Sequence, residues 1–114
     1  MSNIAPSTLI NLWCIVRESR SVFKITIGVG NDIFDLKKAI KKEKPIYFAN
    51  SDPNDLILWR ANAVPKVLMN KNIAFKPYLT KKLETPADKI GNTFQNVTGN
   101  NIRVVVEVTV TGES

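Results

Sequence analysis

The hydrophobic period of this chain changes once, and that change limits the folds open to it. Residues 8–17, TLINLWCIVR, alternate, with Ile10, Leu12, Cys14 and Val16 on one side and Asn11, Trp13, Ile15 and Arg17 on the other. Residues 21–29, SVFKITIGV, alternate again, with Phe23, Ile25, Ile27 and Val29 opposite Lys24 and Thr26. A period of two is the signature of a strand. Only Glu18, Ser19 and Arg20 separate the two runs, so they read as an antiparallel hairpin. From Asp32 the period becomes helical. Ile33, Leu36 and Ile40 recur at i, i+3 and i+7 and so share one helical face. Asp32 is suited to the N-cap, and Asp35 sets a second negative charge in the first turn, where the helix dipole favours it. Lysines crowd the last turns and Pro45 ends the helix.

Beyond the helix the signals are shorter. A polar loop, NSDPN (50–54), leads into DLILWRANAV (55–64), which reads as a third strand closed by Pro65. Val67, Leu68 and Met69 read as a short strand, and Pro77 breaks any longer element there. TPADKIGNTF (85–94) suggests a short helix, with Thr85 as N-cap, Pro86 in the first helical position, and Ile90 and Phe94 at i, i+4. Thr98, Gly99, Asn100 and Asn101 make a turn before IRVVVEVTVT (102–111), the clearest strand in the chain. Strand, strand, helix, strand, weak strand, short helix, strand is the order of an α+β β-grasp. The expectation is a mixed four- to five-stranded sheet packed on one main helix, with the first and last strands side by side at its centre.

The chain of 114 residues suits one domain. Residues 1–7 read as an N-terminal tail, 8–111 as the domain and 112–114 as a C-terminal tail. There is no histidine, which excludes Ser-His-Asp and Cys-His catalysis, imidazole metal sites and a histidine pH switch. A single cysteine excludes a disulfide framework and a thiolate zinc cage. Cys14 shares the apolar side of its strand and reads as an inert small hydrophobe. Gly28 and Gly30 precede a helix, but the third glycine and the Gly-Lys-Ser/Thr of phosphate loops are missing, so they read as turn residues. No catalytic residue, metal or cofactor is expected. The apolar runs fall far short of the roughly 20 residues that cross a bilayer. The first residues lack the basic and apolar regions of a secretory signal.

The formal charge is +6, and it is unevenly spread: +2 over residues 1–31, +2 over 32–45, +4 over 46–83 and −2 over 84–114. Lys37, Lys38, Lys41 and Lys42 line the helix away from Ile33, Leu36 and Ile40, together with Lys44. Such a face attracts phosphates or an acidic partner. No aromatic residue interleaves with the lysines to stack a base, so a solvated face outweighs nucleic-acid recognition, which stays the alternative function. Trp13 and Trp59 each belong to a strand and either anchor a partner or pack beneath loops.

Four stretches together resemble the N-terminal domain of fungal Crinkler effector proteins. They are LWCIVRES (12–19), DLKKAIKKEK (35–44), LILWRANAVP (56–65) and the strand Ile102–Val108. The family typically shows a strand like LWCIVRGES, a DLKKAIKKEK helix, an LxLWKVxIP strand and an apolar closing strand, in this order. The resemblance covers roughly residues 8–110. It implies a ubiquitin-like, non-catalytic N-terminal module associated with secretion and with delivery of an attached C-terminal effector domain into host cells, where many members reach the nucleus. It also implies that the strand around Leu56, Leu58, Trp59 and Arg60 corresponds to the region carrying the LFLAK motif in the oomycete branch, from which this sequence departs. With Trp13, these four residues are the candidates for an interaction or translocation motif. The resemblance implies an attached C-terminal effector domain as partner in the full-length protein, expected to be missing from residues 1–114, and a host protein is a further expected partner. Thr111, Gly112, Glu113 and Ser114 offer no Gly-Gly end for conjugation, so the domain is expected not to be a conjugated modifier. Finally, a β-grasp leaves one sheet face without a helix. Trp13, Ile15, Ile57 and Trp59 are expected on that face, where a homodimer would bury them.

Overall fold

Each period-two run forms a strand. In the computed structural model, which describes residues 8–108, β1 is Leu9–Val16 and β2 is Val22–Gly28. They pair antiparallel, with Leu12 opposite Ile25 and Cys14 opposite Phe23. Arg20 closes the turn between them at φ 58°. The expected tails at 1–7 and 112–114, the conjugation end at 111–114 and the last residues of the closing strand lie outside the described residues.

The helix α1, Ile33–Glu43, begins as its sequence indicates. The Asp32 side chain accepts from the Asp35 amide at 2.9 Å, and the Asp35 carboxylate accepts from the Asp32 amide at 3.2 Å. This reciprocal cap satisfies two otherwise orphaned donors. The Asp32 amide, with Lys38 beside it, holds the Asp35 carboxyl below the ordinary carboxylate range. Ile33, Leu36 and Ile40 are buried and face the sheet.

Strands β3 (Leu56–Ala63), β4 (Leu79–Lys82) and β5 (Ile102–Val108) complete a five-stranded sheet in the order β2-β1-β5-β3-β4. β5 runs parallel to β1 and antiparallel to β3. A mixed sheet of five strands with one main helix is compatible with a β-grasp, and the first and last strands do lie side by side. Between the pairs Trp13–Ile102 and Cys14–Val104, β5 contains one extra residue, Arg103. Such a bulge lets Ile102 and Val105, three apart, pack into the same face, which strict alternation forbids.

Two expectations are corrected. Val67, Leu68 and Met69 are not a strand: Pro65 opens a short helix, α2 (Pro65–Met69), where its missing N–H costs nothing. The helix expected from Thr85 is only α3, Ile90–Thr93, with Lys89 as cap. The reason lies at the start of α1, whose first amides need acceptors. The Ile33 amide donates to the Asp88 carbonyl at 2.9 Å and that of Phe34 to Pro86 at 3.0 Å. Residues 86–88 are thereby held as a brace for α1.

The largest departure concerns the sheet face opposite α1. That face is covered. Leu68 of α2 and Phe75 in the loop beyond it are buried there with Ile15, Ala61, Ala63, Ile102 and Val105, and Trp13 and Trp59 pack around them, half-buried. The open patch on which a homodimer was expected is thus filled by residues 65–78 of the same chain. Arg20 fastens this segment. Its guanidinium donates to the carbonyls of Leu68, Asn70 and Ile73 at 2.8–2.9 Å and lies 4.4 Å from the centre of the Phe75 ring. Two cores therefore sandwich one sheet, and Cys14 is fully buried in the α1-side core. Burial pushes the Cys14 thiol far above its ordinary value. Reaction of this thiol with an aromatic disulfide reagent at pH 8 is accordingly expected only through opening of the domain, with a rate that follows denaturant as unfolding does.

Candidate functional site

The residues singled out on β3 separate by alternation. Leu56 and Leu58 point into the α1-side core and are buried, so they hold the sheet against the helix. Trp59 points the other way. Its indole N–H donates to Glu107 Oε1 at 2.7 Å, while Glu107 Oε2 accepts from Arg17 at 2.9 Å. Lys82 lies 5.9 Å from the Trp59 ring centre and Lys24 lies 5.7 Å from that of Trp13. Arg60, back on the α1 side, donates through Nε to Thr80 Oγ1 at 3.2 Å and through a terminal nitrogen to the Thr93 carbonyl at 3.1 Å. Trp13 and Trp59 thus share the outer face, Leu56, Leu58 and Arg60 the inner, and no one surface collects all five.

The lysines of α1 separate as well. Lys38 and Lys42 are exposed, Lys41 is half-buried, and Lys37 is only 9% exposed. The expectation that all four line the outer helix surface is corrected at Lys37. It follows Ile33 by four residues and precedes Ile40 by three, so it lies on the border of the apolar face. Desolvation pushes its pKa below the ordinary lysine value. The sign of its effect on stability follows. At neutral pH the folded state carries the cost of a desolvated ammonium, and that cost fades as pH rises through the lowered pKa. Lys37→Met is expected to raise the melting temperature at pH 7. The difference from the parent should narrow toward pH 10 in thermal melts.

Beside the exposed lysines stands a feature that the sequence pattern did not single out. Directly after Pro45, Ile46 is 92% exposed and Tyr47 is exposed beside it, while Phe48 turns inward and is buried. The Tyr47 ring meets Phe48 edge-on with centroids 4.8 Å apart. The clue was present as IYF in a loop too short to be a strand. Lys38, Lys41 and Lys42 line one shallow depression with Pro45, and Ile46 and Tyr47 line the next with Glu43, Lys44 and the same Pro45.

The family model of the Crinkler effector protein N-terminal domain matches residues 10–107, from the second residue of β1 to the penultimate residue of β5. The chain belongs to the Crinkler family. Comparison with curated proteins gave no match. The match takes in every element of the Crinkler domain described above, including the α2 segment and the bulge at Arg103. The matched model is that of the N-terminal domain of effector proteins. Among the described residues, no three His, Cys, Asp or Glu side chains gather as metal ligands, and no helix is long and apolar enough to cross a membrane.

Proposed function

We propose that this Crinkler domain, residues 8–111, is a ubiquitin-like, non-catalytic delivery module that takes an attached C-terminal effector domain out of the producing cell and into host cells, the nucleus among its destinations. The observation that carries the reading is the family match over nearly the whole chain. The departure from LFLAK around Leu56 to Arg60 favours the fungal type. Delivery of this kind works through contacts with other proteins. With Leu56 and Leu58 in the core and the Trp59 indole N–H bonded to Glu107, the surface best suited to such a contact is the exposed Lys38 and Lys42 of α1 and, across Pro45, the exposed Ile46 and Tyr47. Its partner is an acidic protein of the delivery route or of the host.

A fluorescent reporter joined after Ser114 tests this. The parent fusion should enter host cells, whereas Lys38→Glu/Lys42→Glu/Ile46→Ser should stay outside while melting at the parent temperature. Entry of the reporter without the domain would overturn the delivery role, and equal entry of the triple variant would overturn the surface assigned to it.

A further inference from the structure

The bulge in β5 places Arg103 where ordinary alternation would not. Arg103 and Arg60 line one cleft of about 370 Å³, together with residues of β3, β4 and the segment 92–97. Asn62, Thr80, Asn92 and Gln95 add polar lining, and Phe94 and Val97 add apolar lining. An adjoining cleft of about 230 Å³ shares Arg60, Asn92 and Thr93 and adds Lys81 and Lys89, with Asp88 as its one carboxylate.

Among the described residues neither arginine has a carboxylate within salt-bridge distance. The neighbours of Arg60 are the neutral oxygens of Thr80 and Thr93. Arg103 donates from one terminal nitrogen to the Thr98 carbonyl at 3.1 Å, and its Nε is buried with no hydrogen-bond partner. Two guanidinium groups without a carboxylate partner on one cleft call for an acceptor of matching charge. A guanidinium offers a planar fork of donors that fits phosphate oxygens, and two of them balance a dianion. The cleft has room for the phosphate and a small polar group carrying it, which the amides of Asn62, Asn92 and Gln95 could contact.

We propose that this cleft binds the phosphate monoester of a small soluble ligand, with Arg60 and Arg103 as its two anion-binding side chains. The site is separate from the exposed lysines of α1 and stands whether or not they serve delivery.

Titration of the isotopically labelled domain with inorganic phosphate, and separately with phosphoserine, followed by NMR at constant ionic strength, tests it. Both should saturate, moving the guanidinium resonances of Arg60 and Arg103 and the amides of Asn62, Thr93 and Gln95, while chloride moves none of them. Arg103→Gln should weaken phosphate binding about tenfold or more, as loss of a charged hydrogen bond does, and Lys38→Gln should leave it unchanged. Gln95→Glu, an exposed substitution that sets a negative charge on the cleft wall, should weaken binding similarly and keeps the test independent of how well Arg103→Gln folds. Absence of saturation, or affinity unchanged in Gln95→Glu, would overturn the site. Saturation by phosphate with exclusion of phosphoserine would overturn the monoester.

Discussion

Phe75→Ala is expected to destabilise the domain by about 3–5 kcal/mol, the usual range for emptying a buried phenylalanine site. That is much of the stability of a single domain, typically about 5–15 kcal/mol in all. Phe75 is the largest buried side chain of the core opposite α1, in a loop without helix or strand of its own. Its removal takes away the surface on which the Arg20 guanidinium stacks and leaves residues 65–78 held by the packing of Leu68 and by hydrogen bonds to that arginine. Denaturant melts should show the loss. Tryptophan emission in native buffer should also shift to the red, because Trp13 and Trp59 pack on this cluster and would gain water. Arg20→Ala should give the same spectral shift with a smaller loss of stability. If Phe75→Ala melted like the parent, residues 65–78 would not be the cover of this face.

Leu36→Ala is expected to cost about 2–5 kcal/mol on the other side of the sheet. Leu36 is fully buried between Ile33 and Ile40, where α1 meets β1, β2, β3 and β5. Lys38→Ala, two residues away and exposed, removes an ion pair of 3.5 Å to Asp35 and should change stability by less than about 0.5 kcal/mol. The contrast in thermal melts reads the helical face directly, and equal effects would mean that α1 is turned otherwise. The Leu36 and Phe75 sites lie on opposite sides of the sheet, so their effects should add.

Local signals were legible wherever residues close in sequence decide the outcome. The β1–β2 hairpin, the Asp32 cap, the face of Ile33, Leu36 and Ile40 and the strand from Ile102 all follow from spacing alone. The misread segments are those whose structure depends on a distant partner. Residues 86–88 carry a good helix start, yet their carbonyls serve the first turn of α1, more than fifty residues earlier. Lys37 looks like one more surface lysine until its place beside the packed face is known. The Arg103 bulge is invisible in a run as regular as RVVVEV, because a bulge is a relation between two strands and not a property of one.

The sequence by itself determined the α+β class, the order of the main elements, the inner core and, through four motifs, the family, since each of these is carried by periodicity and residue type along the chain. Only the tertiary structure decided what covers the outer face and where the charges converge. Alternation along β1 and β3 shows that Ile15, Ala61 and Ala63 share a side with Trp13 and Trp59, but it does not say that Leu68 and Phe75 return to cover them. Nor does it say that Arg60 and Arg103, forty-three residues apart, meet at one cleft. Burial and charge proximity are distances in space, and sequence pattern fixes them only within an element, where the backbone geometry is already known.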